Sequence, residues 1–180
     1  MGRIELIIGP MYSGKSSELL KIARRYKTLN KNILLINHVS DIRYGNNVIC
    51  THDNEKTDCL SLSDLNTVLT RPEYLDAHVV IIEEGQFFND LYSFSLYTAN
   101  DMDKILIIAG LDGDYKQQLF GDILRLIPHA EKVLKLSALC KECGDGTLAA
   151  FTRRITSESD QTLVGGDNIY KAVCRYHLTH

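Results

Sequence analysis

Gly9-Pro10-Met11-Tyr12-Ser13-Gly14-Lys15-Ser16 fits the pattern G-x-x-x-x-G-K-[ST]. Before it, Ile4 to Ile8 is a short apolar run that reads as a buried strand. After it, Ser16 to Asn30 reads as a helix, with Leu19, Leu20, Ile22, Ala23, Tyr26 and Leu29 in an apolar stripe. Strand, glycine loop and helix together make a cradle for a polyphosphate. Gly9 and Gly14 let the chain wrap with its N–H groups inward, at the positive end of the helix dipole. Lys15 would reach the β- and γ-phosphates, and the Ser16 hydroxyl would sit on Mg²⁺. The phosphate-binding stretch is expected to run through Ser17, from Gly9, Pro10, Met11, Tyr12 and Ser13 through Gly14, Lys15 and Ser16. The bland alternative is a glycine-rich turn with a solvated lysine; the flanking strand and helix argue against it.

The 180 residues suffice for one domain with a proper core and a small appendage. Hydrophobic content of 44% and charged content of 24% are those of an ordinary soluble globular chain. A net charge of −3 and a pI of about 6.1 leave no electrostatic footprint for wrapping nucleic acid. No apolar run approaches a membrane span. The N-terminus runs directly into the first strand, so no signal or transit peptide is expected, and a cytoplasmic location follows by default. Five cysteines in such a chain argue for metal or free thiols before disulfides.

Four further apolar runs read as buried strands: Ile33 to Ile36, Val79 to Ile82, Ile105 to Ala109 and Val133 to Leu136. Near-continuous apolar strands alternating with helical stretches predict an α/β fold, a parallel sheet covered on both faces. Asp90 to Asn100 reads as a crossover helix, Phe120 to Leu126 as a shorter one and Ser61 to Leu69 as a weak one. Asp41 to Thr57 is polar and aperiodic, and reads as an excursion. The texture changes at Cys140, so two units are expected: 1–139, carrying the phosphate loop, and 140–180. A segment as short as the second needs a staple.

Cys140-Lys141-Glu142-Cys143 and Cys174-Arg175-Tyr176-His177 offer one. Two ligand pairs at C-x-x-C and C-x-x-H spacing complete a tetrahedron around Zn²⁺, and a closed set of four reads as structural. A redox C-x-x-C or unrelated buried thiols are the alternatives, and His180 or water could stand in for His177. Cys50 and Cys59 have no partner motif and read as small core or surface residues.

A carboxylate pair, Glu83-Glu84, follows Val79 to Ile82 at once, ahead of Gly85-Gln86-Phe87-Phe88. Carboxylates that serve Mg²⁺ sit at the end of a core strand near the phosphate loop. Neighbouring strand residues face opposite ways, so one carboxylate can handle the metal while the other faces an acceptor as base. The alternative is two idle, solvated charges; a phosphate loop on an adjacent strand lowers its weight. Phe87, Phe88, Tyr115, Phe120 and Tyr170 are candidates to sandwich a base, although aromatics at such positions more often belong to the core.

Several segments together resemble one family. They are Ile7 through Ser16, Arg24-Arg25-Tyr26, Asp41-Ile42-Arg43-Tyr44, Thr51-His52-Asp53, Glu84 through Phe88, Leu111-Asp112-Gly113, Val164-Gly165-Gly166 and the cysteine pairs. In order and spacing they look like thymidine kinases of the zinc-containing cytosolic type. The resemblance covers nearly the whole chain. It implies a RecA-like P-loop domain, a small zinc-bearing domain, and a loop between the zinc half-sites that folds over the nucleoside. It also implies transfer of the ATP γ-phosphate to the 5′-hydroxyl of thymidine with Mg²⁺, a homotetramer, and feedback inhibition by dTTP. Glu84 then falls at the general base, Lys15 at the phosphates, Arg43 at an arginine assisting transfer, and Ser16 with Glu83 at magnesium. Met11, Phe87, Leu111, Tyr115 and Phe120 would line the base pocket, with Thr152 beneath the base and Tyr170 near sugar or base. The stretch around Gln161 to Val164 would offer backbone groups to thymine, and Leu163, Val164 and Gly165 would belong to the substrate site. The glycines and polar residues of 144–166 read as a segment that orders on binding.

The chain departs from the family pattern at a few places. Glu83 stands where aspartate is usual, His177 where the last zinc ligand is commonly cysteine, and Tyr115 where phenylalanine is usual. The stretch from Gly144 to Phe151 is slightly longer than expected. A broader deoxynucleoside kinase, a RecA-type ATPase with a zinc appendage and a zinc-stapled nucleotide-binding protein remain the competing readings.

Overall fold

The fold comes from a computed structural model that describes residues 1–41, 47–50 and 56–180. Arg43, Tyr44, His52 and Asp53 lie outside the described residues, as does the side chain of Cys50. In chain order the strands are β1 (Arg3–Ile8), β2 (Ile33–His38), β3 (Val48–Cys50), β4 (Lys56–Asp58), β5 (Leu60–Leu62), β6 (Val79–Ile82), β7 (Ile105–Gly110), β8 (Lys132–Lys135), β9 (Ala138–Leu139), β10 (Leu148–Ala149), β11 (Phe151–Arg154) and β12 (Tyr170–Val173). The α-helices are α1 (Lys15–Lys27), α2 (Pro72–Asp76), α3 (Leu91–Leu96) and α4 (Arg175–Thr179).

Six strands form one sheet in the order β5-β2-β6-β7-β1-β8. Every neighbouring pair in it is parallel. Side chains alternate between faces along each strand, so a strand apolar at every position feeds two cores. Leu6, Ile8, Val80, Ile82, Leu106 and Ile108 point to one face, where Tyr74 of α2 and Leu91 and Phe94 of α3 cover them. Ile7, Leu35, Ile81 and Ile107 point to the other, against Leu19, Leu20, Ile22 and Ala23 of α1. This is the P-loop α/β arrangement expected from the apolar runs.

Several elements differ from the sequence reading for identifiable reasons. β8 is an edge strand whose Val133 is 40% exposed; Lys132 and Lys135 flank it and keep the edge soluble. Ser61 to Leu69 splits into β5 and a 3₁₀ turn at Leu65–Val68, because Leu60–Leu62 finds the free edge of β2. The helix expected from Phe120 begins instead at Ile123, as 3₁₀ structure to His129. Within the polar excursion, β3 and β4 pair antiparallel. Leu29 is 65% exposed, just past the end of α1.

Beyond β8 the chain forms two small antiparallel pairs, β9–β10 and β11–β12. Ala138, Cys140, Ala149, Ala172 and Val173 make a small third core there.

Candidate active site

The phosphate loop leaves β1 at Gly9, where a Cβ would lie 2.6 Å from the Leu136 carbonyl and 2.9 Å from Ser13 Oγ; only glycine fits. Gly14, at φ 83°, enters α1 without any side chain capping the helix. The first N–H groups of this thirteen-residue helix therefore face the loop, an anion site by geometry and dipole. Lys15 is buried, its ammonium donating to the Pro10 carbonyl at 2.7 Å. Ser13 Oγ also donates to Pro10, at 2.8 Å, closing the turn.

Strand β6 ends at Ile82, and the two glutamates diverge there. Glu83 is buried and accepts from Ser16 Oγ at 2.6 Å. β6 is not next to β1, since β7 lies between them. The longer glutamate nevertheless reaches the start of α1, so the extra methylene over aspartate is accommodated. Glu84 takes a left-handed backbone, φ 54° and ψ 41°, which breaks the strand and turns its side chain away from that of Glu83. Its carboxylate accepts from Gln86 Nε2 at 2.6 Å, and Gln86 Oε1 accepts from the Leu111 N–H at 3.0 Å. Gln86, buried to 3% exposure, thus ties Glu84 to the chain just after β7.

These groups face one open cavity of about 1080 Å³, a volume that takes in solvent space at its mouth. Its walls include Met11, Tyr12, Ser13, Gly14, Lys15, Ser16 and Ser17 of the loop, together with Glu83 and Glu84. Phe87, Leu111, Tyr115, Phe120, Thr152 and Tyr170 line the same space, as do Leu163, Val164 and Gly165. Gly9 and Pro10 support the loop without lining the cavity, and Arg43 lies outside the described residues. Phe88 is withdrawn: it is 1% exposed, in the core beneath the sheet. Phe87 and Phe120 meet edge to face, centroids 5.4 Å apart. His38 packs edge-on against Phe88 at 4.7 Å; burial lowers its pKa below the ordinary histidine value, and Glu84 opposes the shift.

The far wall comes from the chain after β10. The Met11 N–H donates to Thr152 Oγ1 at 3.0 Å. Tyr115 OH donates to the Ser159 carbonyl at 2.9 Å, which is where the oxygen absent from phenylalanine goes. Gln161 Nε2 donates to Asp114 Oδ2 at 2.8 Å. The sequence reading missed Gln86, Asp114 and Arg154. Two signals were available: Gln86 lies inside the Glu84 to Phe88 run, and the period of two in β11 puts Arg154 on the buried face shared by Thr152.

Below this wall Cys140, Cys143, Cys174 and His177 converge, their ligand atoms all within 4.8 Å of one another. A zinc tetrahedron with bonds of ~2.3 Å to sulfur and ~2.0 Å to nitrogen has edges of about 3.8 Å between sulfurs and about 3.5 Å from sulfur to nitrogen. The observed separations are 3.8 Å for Cys143 to Cys174, and 3.6, 3.4 and 3.4 Å from His177 Nδ1 to Cys140, Cys143 and Cys174. The cluster can hold zinc, with His177 in the place of a cysteine. Burial would push the Cys140 thiol up, but the N–H groups of Cys174, Cys143 and Glu142, with the Cys143 side chain, outweigh it and bring it down to about 6. Cys174 is also lowered, chiefly by the His177 N–H, whereas burial and the Cys140 and Cys174 side chains push Cys143 up to about 11. Cys59 is different: burial pushes its thiol up to about 11, as suits an inert core cysteine.

Comparison with known proteins matches residues 2–178 to the family model described as thymidine kinase. The thymidine kinase of Sheeppox virus (strain KS-1) is 48% identical over 97% of this chain and 95% of its own. That of Yaba monkey tumor virus (strain VR587) is 43% identical over 97% and 93%. That of Oryza sativa subsp. japonica is 41% identical over 98% of this chain and 66% of its own.

Proposed function

The chain belongs to the thymidine kinase family and is an ATP-dependent thymidine kinase, and from that premise we propose how its residues carry the transfer of the ATP γ-phosphate to the thymidine 5′-hydroxyl. The supporting observation is that the phosphate loop and Glu84 line one cavity. A phosphate-binding module alone would need neither this carboxylate nor the aromatic wall beside it.

In this reading the N–H groups of the loop and the Lys15 ammonium hold the phosphates. Lys15 would exchange its bond to the Pro10 carbonyl for phosphate oxygens and neutralise charge as the bond to ADP breaks. Glu84 accepts the 5′-hydroxyl proton, and Gln86 holds its carboxylate in line. The Ser16 hydroxyl and the Glu83 carboxylate are the oxygen donors that a hard divalent cation takes, so they would hold magnesium. Bound there, magnesium supplies charge neutralisation at the phosphates. Met11, Phe87, Leu111, Tyr115 and Phe120 flank the thymine, Thr152 lies beneath it, Tyr170 sits near the sugar or base, and the stretch around Gln161 to Val164 offers backbone groups, with Leu163, Val164 and Gly165 in the substrate site. Arg43 keeps the transfer-assisting role implied by resemblance.

The zinc site is structural in this account, because four protein ligands leave no position for substrate. It staples the unit of 140–180 internally, since all four ligands belong to it. A homotetramer, feedback by dTTP and a cytoplasmic location follow from the family likeness. Among the described residues no helix is long and apolar enough to cross a membrane.

The test is ATP-dependent phosphorylation of thymidine, with deoxyuridine, deoxycytidine and no acceptor in parallel. Thymidine-dependent ADP release with dTMP formed is expected. ADP release that ignores the acceptor would contradict the reading.

A further inference from the structure

Tyr12 belongs to the phosphate loop and lines the cavity, yet its side chain packs against the third core, the one that Cys140, Ala149, Ala172 and Val173 build. The Lys141 ammonium lies 5.1 Å from the centroid of the Tyr12 ring. The Tyr12 hydroxyl makes a long bond, 3.4 Å, to the Tyr170 carbonyl at the start of β12. Cys143 and Cys174 pack against the same core. Three of the four residues of the Cys/His cluster therefore belong to the body that holds the ring. The backbone of Tyr12 is left-handed, at φ 65°, an outlier for a bulky residue. A residue turned this way inside a loop brings successive N–H groups to one side, where they can meet an anion together.

We propose that the Tyr12 ring is an anchor through which the third core holds the phosphate loop in its anion-binding shape, a positioning role that lets the unit carrying the Cys/His cluster set ATP affinity. Left-handed backbone persists in a non-glycine residue only where its surroundings over-determine it. Here those surroundings are the third core, the Lys141 ammonium and the Tyr170 carbonyl. Released from them, the loop relaxes toward negative φ at Tyr12, and its N–H groups no longer converge. The competent shape is then populated for only a fraction of the time, and apparent affinity falls by that fraction. The bonds from Ser13 and Lys15 to the Pro10 carbonyl close the turn from within the loop, whereas the anchor fixes it from outside. The link to ATP rests on the loop being its phosphate site; the anchoring of the ring does not.

The experiment is equilibrium binding of ATP to the full chain, with thymidine binding measured on the same preparations. Tyr12→Ala and Tyr12→Gly both remove the ring, but glycine takes positive φ freely and alanine does not. The ATP Kd should rise about tenfold or more in Tyr12→Ala and only about threefold in Tyr12→Gly, with thymidine Kd moving less in both. Lys141→Met removes the charge over the ring and should raise the ATP Kd about two- to fivefold. Added to Tyr12→Gly, the same change should do nothing, because its effect passes through the ring. An equal loss in Tyr12→Ala and Tyr12→Gly, or a larger one in Tyr12→Gly, would overturn the anchor. So would a Lys141→Met effect that persists in the Tyr12→Gly background. A parent chain that fails to bind ATP would instead overturn the phosphate-loop reading on which the proposal rests.

Discussion

The backbone N–H of Met11 donates to the hydroxyl of Thr152 across 3.0 Å, joining the phosphate loop to β11. Loop and covering wall thus share one bond, beside the 3.4 Å contact from Tyr12 OH to the Tyr170 carbonyl. Thr152→Val keeps the shape and removes the acceptor. An amide left without its partner costs about 1–3 kcal/mol, so kcat/KM should fall about tenfold or more. Thr152→Ser should recover most of it in the same steady-state assay.

Gln86 holds Glu84 with its amide nitrogen and Leu111 with its amide oxygen. Gln86→Leu frees both and buries them against an apolar side chain. Turnover should drop about ten- to a hundredfold while thymidine KM changes less, because the substitution chiefly disturbs the orientation of the base. A KM effect larger than the kcat effect would count against this role.

Zinc analysis of the purified protein should find about one ion per chain, as a set of four ligands requires. Stripping it with a chelator should cost activity and raise protease sensitivity between β9 and α4. His177→Ala should lower metal retention, and His177→Cys should preserve it. Because thiolates and neutral imidazole bind metal, retention should weaken as pH falls.

Burial holds the pKa of His38 below its ordinary value. The unfolded chain therefore takes up this proton at a higher pH than the folded one. Stability should fall as pH drops through about 6.5 and stop falling, for this group, below the folded pKa. Urea midpoints at pH 7 and pH 5 measure it. His38→Asn, whose side-chain oxygen can still accept from the Ser40 N–H that now bonds Nδ1, should show a smaller difference between the two.

The central strands were legible because they are apolar on both faces. No alternation obscures β6 or β7, and the glycine pattern fixes where β1 ends. Their spatial order was not legible. Nothing local in Val79 to Ile82 says that β7 intervenes before β1, since crossover connections set that order. Edge position was also harder to read: β5 depends on the free edge of β2, which propensity does not report, and β8 was read as a strand but as a buried one. Of the site, the residues in contiguous motifs could be read, including all four members of the Cys/His cluster. The alternation in β11 could place Arg154 on the buried face, but not reveal its partners, which are carbonyls that a folded-back segment brings to it.

The most direct test of the account is single-turnover phosphoryl transfer by Glu84→Gln, with thymidine affinity measured on the same protein. If Glu84 is the base, the transfer rate should fall by about 10²- to 10⁴-fold while thymidine binding stays near that of the parent chain. Full-rate transfer by Glu84→Gln would contradict it.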